Sequence, residues 1–232
     1  MRQIILDTET TGVDPLNGDR IIEIGAVELV KRRLTHNNYH QYIQPEREVP
    51  QDAIEVHGIT NEFLADKPVF AQVVDAFMEY VAGAELIIHN APFDVGFINM
   101  ELSLLPDNRW GKIEDHCTIT DTLKMARKTY PGQRNSLDAL CKRLMVDNSN
   151  RTLHGALLDS EILADVYLAM TGGQTNLLLG GEESDSDAEG AVKKISRDRL
   201  PLKVLYATDD ELTRHRSKLE EISQKSGQTI SW

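Results

Sequence analysis

Apolar and polar positions recur with different periods along the chain, and those periods mark out its elements. Residues 3–9 contain the unbroken run Ile4-Ile5-Leu6, which fits a strand covered on both faces. Residues 20–30 (RIIEIGAVELV) and 34–44 are rich in strand-forming side chains and are separated by a short basic turn, which predicts a hairpin. Residues 85–90 (ELIIHN) read as another short strand, after which Phe97, Ile98, Leu102 and Leu105 recur at helical spacing. Residues 117–121 predict a further strand, leading into a helix that Pro131-Gly132 stops. Two more helices are expected at 136–144 and 156–170, the second closed by Gly172-Gly173. Antiparallel strands followed by strand–helix units predict an α/β fold, a mixed sheet with helices on its faces.

Composition narrows the class. Apolar residues at 41% and charged residues at 27% of 232 exclude a disordered chain, a collagen-like repeat and a disulfide scaffold. No run approaches the roughly 18 apolar residues of a membrane helix. The first strand-like run begins at Gln3, which leaves no room for a signal peptide, and Cys117 and Cys141 lie far apart without metal-ligand spacing. A reducing, cytoplasmic setting is expected.

Charge divides the chain. The net charge of −12 argues against a bulk electrostatic grip on nucleic acid, so any such binding must be local or metal-assisted. Residues 180–190 hold five acids and no base, which reads as a flexible linker, whereas residues 191–232 hold nine Lys/Arg against six Asp/Glu. The expected division is a body of residues 1–173, a connecting stretch 174–190 and a tail 191–232. In the tail, 201–207 reads as a strand. Thr208-Asp209-Asp210-Glu211 has capping-box spacing for a helix to about Lys225. The apolar stripe of that helix (Leu212, Leu219, Ile222) is thin, so the tail needs a partner surface or must pack back on the body.

Candidate chemistry lies in the body. Asp7 and Glu9 sit two apart at the end of a buried strand and so point to one face, where like charges repel unless a cation intervenes or one is protonated. Asp94 shares the helical stripe of Phe97, Ile98, Leu102 and Leu105, although a first-turn acid also fits a helix cap. Asp159 precedes Ile162, Leu163 and Val166 at three, four and seven residues, again an acid on an apolar face, which implies a metal or a basic partner. His154, five residues earlier, becomes a candidate general base beside such an acid. Four hard oxygen ligands suit Mg²⁺ or Mn²⁺ and disfavour zinc. Such clusters commonly hold two ions that act on a phosphodiester.

Asp7-Thr8-Glu9-Thr10-Thr11-Gly12, His89-Asn90-Ala91-Pro92-Phe93-Asp94 and His154-Gly155-Ala156-Leu157-Leu158-Asp159 resemble, in order and spacing, the three motifs of the DEDDh 3′→5′ exonucleases. The likeness spans roughly residues 1–172. Residues 134–141 and 171–175 narrow it to the proofreading enzymes of bacterial replication. The resemblance implies a ribonuclease-H-like fold, two divalent cations, and release of nucleoside 5′-monophosphates from a single-stranded or frayed DNA 3′ end. It assigns Asp7, Glu9 and Asp159 to the tighter ion, Asp7 also to the second, Asp94 a water-mediated role, and His154 deprotonation of the attacking water. It also makes His57, within Val56-His57-Gly58-Ile59, and Asp52 candidate substrate contacts, with Asn90 beside the terminal nucleotide. Relatives carry Glu where this chain has Asp52, and a packing role for His57 fits equally well.

Two partner sites follow from the same resemblance. Gln174, Leu177, Leu178 and Leu179 are similar to the short peptides that bacterial replication proteins insert into a sliding clamp, an extended segment with apolar anchors. The tail would bind the polymerase (alpha) subunit, and a small third core subunit remains open. Among other readings, an exoribonuclease of the same family would differ in its contacts at the 2′-OH. Asp7-x-Glu9-x-Thr11 also resembles, superficially, the aspartyl nucleophile of haloacid-dehalogenase-type phosphatases, without their later acid pair. A non-enzymatic bridge between clamp and polymerase is a further reading, and it can coexist with the nuclease role.

Overall fold

A computed structural model describes residues 2–172 and 206–226. The chain divides into two units, Met1–Leu177 and Leu178–Trp232, which are taken separately. The elements of the first are β1 (Arg2–Thr10), β2 (Ile21–Val30), β3 (Arg33–Leu34), β4 (Tyr39–Tyr42), α1 (Gln51–His57), α2 (Asn61–Leu64), α3 (Phe70–Val81), β5 (Glu85–Ile88), α4 (Ala91–Ser103), β6 (Thr118–Asp121), α5 (Thr122–Thr129), α6 (Leu137–Leu144) and α7 (Ala156–Thr171). The second contains α8 (Asp209–Ser226).

The apolar run of β1 decides the layering. Ile4 and Leu6 pack on one side with Phe77 of α3 and Phe97 and Ile98 of α4, while Ile5 packs on the other with Leu163 and Tyr167 of α7. A strand with both faces covered belongs inside a sheet, and β1 is central in the order β3-β2-β1-β5-β6, with β4 also paired to β2. β2 runs antiparallel to β1, setting Asp7 opposite Gly25 and Glu9 opposite Glu23, with a bulge between Glu9 and Thr10. β5 and β6 run parallel to β1, so the loops that follow them open at the same sheet edge as residues 7–11. α5 and α6 share an apolar cluster with the outer side of α7, built from Ala126, Leu140, Ile162 and Val166.

Several boundaries differ from the sequence expectation. The second arm of the predicted hairpin breaks into β3 and β4, because His36 takes a left-handed conformation (φ 62°) between them. The strand predicted at 85–90 stops at Ile88, since Asn90 (φ 69°) turns the chain into α4. The sequence pattern leaves residues 45–84 without elements, yet they form three helices. The longest, α3, buries Phe70, Val73, Val74, Phe77, Met78 and Val81 along one stripe. Cys117 and Cys141 are free and buried. Among the described residues, no helix is long and apolar enough to cross a membrane.

In the second unit, the expected capping box opens α8: Thr208 Oγ1 accepts from the Glu211 amide (3.4 Å) and the Glu211 carboxylate accepts from the Thr208 amide (2.8 Å). Leu212 and Ile222 are exposed. Residues 201–205 of the predicted strand, the linker 180–190 and the candidate clamp residues Gln174, Leu177, Leu178 and Leu179 lie outside the described residues.

Candidate active site

Three distant segments meet at the edge where β1 and β5 end, around a cleft of about 730 Å³. β1 delivers Asp7 and Glu9 to it. Thr8 between them turns its hydroxyl to Asp94 Oδ1 (2.8 Å), which ties the first turn of α4 to the strand. The left-handed turn at Asn90 starts α4 two residues after β5 ends, and this short connection brings Asp94 back over β1.

Asp159 arrives on α7. This helix sits close against β2, because Gly25 has no side chain: a Cβ there would overlap the backbone of Ala156 and Leu157. Ser160 Oγ donates to the Gly25 carbonyl (2.9 Å), and the free Ala156 amide at the helix start donates to Glu23 Oε2 (3.1 Å). The other oxygen of Glu23 is held by His40 Nε2 at 2.7 Å.

The result is a crowd of acids largely shut off from water. Glu9, Asp94 and Asp159 are 8%, 3% and 3% exposed. Burial pushes Glu9 up to about 8, with the charges of Glu23 and Asp159 adding to it. Burial likewise raises Asp94 to about 7, against the opposing hydrogen bond from Thr8. Asp7 is raised well above the usual carboxylate range by burial and by Asp94, Glu9 and Asp159. Carboxylates that resist ionisation together are what a cation would relieve.

One cation is already present in the chain. Arg151, in the loop before α7, forks onto Asp159 with Nε to Oδ1 at 2.5 Å and Nη2 to Oδ2 at 2.7 Å, and reaches Asp138 with Nη1 at 2.9 Å. Its side chain is only 9% exposed. Its own proton is held more tightly than usual, first by the hydrogen bond to Asp159. Nη2 also donates to His154 Nδ1 (3.1 Å), and that nitrogen lies 3.6 Å from Asp159 Oδ2. With Arg151 seated, neutral His154 therefore carries its proton on Nε2.

The remaining candidates line the same cleft. His57 is buried, its Nδ1 accepts from the Ile59 amide (3.0 Å), and its Nε2 has no partner. Burial lowers its proton affinity, and a charge on His154 would lower it further; with Nδ1 accepting, the neutral ring carries its hydrogen on Nε2, which is buried. Asn90 is exposed and its side chain makes no cap bond. Asp52 stands exposed on α1 at the rim. Donor atoms of Glu9, His154 and Asp159 come within 4.8 Å of one another, a spacing that a metal ion can bridge. The donor set is oxygen and imidazole without sulfur, and a guanidinium already substitutes for a cation on Asp159, so these residues fit divalent metal.

The exonuclease family (RNase_T) matches residues 4–167. The chain is 53% identical over 235 residues to DNA polymerase III subunit epsilon of Escherichia coli K12, covering 99% of this chain and 96% of that protein. It is 54% identical to the Haemophilus influenzae protein of the same name, covering 100% and 94%.

The chain belongs to the DNA polymerase III epsilon-subunit family of exonucleases.

Among solved structures, exonuclease X in complex with 5′-overhanging duplex DNA matches with a TM-score of 0.56 at 27% identity, over 74% of this chain and 94% of that one. The nuclease domain of 3′hExo, a DEDDh family member bound to rAMP, shares the fold with a TM-score of 0.60 at 22% identity, over 73% and 90%. Family membership makes the chain a hydrolytic 3′→5′ exonuclease of a kind that uses divalent metal ions. Sequence reasoning missed three residues of the site: Arg151, Glu23 and Thr8. Arg151 left a signal, a lone base three residues before His154 in the motif region. Glu23 had none, because a strand acid in RIIEIGAVELV reads as a solvent-facing position.

Proposed function

We propose that the chain is the proofreading 3′→5′ exodeoxyribonuclease of a bacterial replicative polymerase, hydrolysing the last phosphodiester of a frayed primer end and releasing a nucleoside 5′-monophosphate. The observation that carries it is the convergence of Asp7, Glu9, Asp94, Asp159 and His154 from segments some 150 residues apart onto one cleft. Asp7, Glu9 and Asp159, with Asp94 behind Thr8, would hold two Mg²⁺ or Mn²⁺ ions. Bound there, the ions supply Lewis-acid polarisation of the phosphate and ease deprotonation of water.

The chain's own residues do the rest. Arg151 must leave Asp159 for a metal to replace it, and its departure changes His154. Once Nδ1 no longer accepts from Arg151, it can donate to Asp159 Oδ2, and Nε2 is freed as the base that takes the proton of the attacking water. His57 offers its Nε2–H to an oxygen of the terminal nucleotide. Asn90 and Asp52, which line the same cleft, would contact that nucleotide. Changing both Asp7 and Glu9 to alanine tests the site, followed by digestion of a labelled single strand with Mg²⁺; full retained activity would remove these acids from the reaction.

The longer-range assignments belong to the same reading. Residues 1–173 form the nuclease domain, Gln174 with Leu177–Leu179 docks on a sliding clamp, and residues 191–232 bind the polymerase alpha subunit in the cytoplasm. The near full-length match to epsilon subunits supports these roles, as does the exposed apolar pair Leu212 and Ile222 on α8.

A further inference from the structure

The net charge of −12 conceals a strong segregation. Residues 122–151, covering α5, the turn beyond it, α6 and the loop to α7, hold seven basic side chains against two acidic ones. Two of the seven are committed: Arg151 to Asp159 and Asp138, and Arg143 to the Tyr130 ring, Asn135 and the Arg134 carbonyl. The other five, Lys124, Arg127, Lys128, Arg134 and Lys142, are exposed and have no ion-pair partner among the described residues.

Their placement is not random. Ala126 is the buried side of α5, and Lys124, Arg127 and Lys128 at i, i+3 and i+4 form the opposite, solvent-facing stripe. That stripe borders the catalytic cleft. Thr122, at the start of α5, bonds His89, which lines the cleft (3.0 Å). Lys124 shares a shallow groove with Ala91 and Pro92, the residues that follow the cleft-lining Asn90. The charge of Arg127 is felt at His89, opposing the ring's protonation. Arg134 stands two residues before Ser136, which is again at the cleft wall. The groove also carries the acids Glu114 and Asp121, but none of these five bases is ion-paired among the described residues, and the basic stripe thus begins where the cleft ends.

We propose that α5 and the turn into α6 form the track for the phosphates on the 5′ side of the nucleotide being removed. This rests on reading the cleft as the site of a DNA 3′ terminus. Outside residues 122–151 the body, residues 1–172, is acidic on balance, so a basic face beside the cleft attracts the strand and sets its direction there. Contacts to phosphate carry no sequence information, as suits an enzyme that must accept any terminus.

Fluorescence anisotropy with labelled oligothymidylates of two to twelve nucleotides, at several salt concentrations, tests the track in the full-length chain. An Asp7→Ala background keeps the strand intact. Replacing Lys124, Arg127 and Lys128 with glutamine should lower the slope of log affinity against log salt by about 2, at about 0.7 per phosphate neutralised on a single strand. Between 50 and 200 mM salt, the parent should then lose about 20-fold more affinity than the variant. The gain in affinity with oligomer length should flatten too. Lys124→Arg with Lys128→Arg should keep the parent slope, which guards against a folding defect.

A control with Lys31→Gln and Arg33→Gln, at the exposed end of the β2–β3 hairpin, should leave the slope alone. An unchanged slope in the triple variant would overturn the track and leave the face to an acidic protein partner, and an equal fall in the control would also overturn it. Hydrolysis of thymidine 5′-monophosphate p-nitrophenyl ester by the unmodified enzyme reports on the cleft alone, since this substrate has no 5′-ward phosphates. Failure there would count against the catalytic reading, whatever the oligomers show.

Discussion

Replacing Arg151 with methionine should make the protein depend on metal for its stability. The guanidinium is bidentate on Asp159, and both side chains are nearly sealed, at 9% and 4% exposed. Removing one member of such a pair strands a buried charge, at a cost of about 3 kcal/mol or more. For a folding unit of this size, that lowers the melting temperature of the metal-free protein by about 6–12 °C. Divalent cations reverse the comparison. In the parent, an ion must first displace the guanidinium; in the variant, the site is open to it. Calorimetric titration with Mn²⁺ should therefore give a dissociation constant at least about tenfold lower for the variant, equivalent to about 1.4 kcal/mol. Melting curves in excess Mn²⁺ should close most of the gap seen in EDTA. A melting deficit of the same size with and without Mn²⁺, together with an unchanged affinity, would refute the idea that Arg151 occupies the cation's place.

Four further outcomes are expected. In EDTA the folded chain holds the protons of Glu9 to about pH 8 and of Asp94 to about 7, against ordinary values of 4.5 and 3.8. The folded state then binds more protons than the unfolded one, so this stability is fully present below the ordinary values and is lost as pH rises to about 8; melting temperature should fall over that window, and saturating Mg²⁺ should flatten the fall. Gly25→Ala should force α7 off the sheet, costing about 1–3 kcal/mol in chemical denaturation and more in activity than in stability, because Asp159 moves with the helix. Glu23→Ala should cost about 1–3 kcal/mol by leaving the Ala156 amide unpaired; it should also shift the pH response of the metal-free protein downward, since the charge of Glu23 helps to raise Glu9. Residues 1–179 alone should keep exonuclease activity on single strands and lose co-purification with the polymerase subunit; loss of the activity would show that the division at residue 173 is misplaced.

What the sequence reveals here follows the range of the forces involved. Ile4-Ile5-Leu6 predicts a doubly covered strand because successive side chains point to opposite faces and all are apolar, and both faces are indeed covered by helices. The positions of Asp94 and Asp159 on apolar helical stripes already place them inward, and both are buried. The two-part second arm of the hairpin was hidden because a left-handed His36 has no composition signature. The expectation places no element over residues 45–84, where α3 forms with its buried stripe at spacings of three and four. Arg151 and Glu23 are harder cases. Their partners, Asp159 and the Ala156 amide, are set by the docking of α7, a long-range event that no local pattern encodes.

The seat of α7 on Gly25 has a consequence for how the chain is born. A ribosome delivers Asp7 and Glu9 almost at once, but Asp159 only when nearly the whole nuclease unit has been made, and the acid counts only after its helix has docked. A nascent or partly opened molecule thus has no blade. For a hydrolase that works beside newly made DNA, that is a safety catch: the acid set is complete only once the last helix of the nuclease unit has been synthesised and has docked.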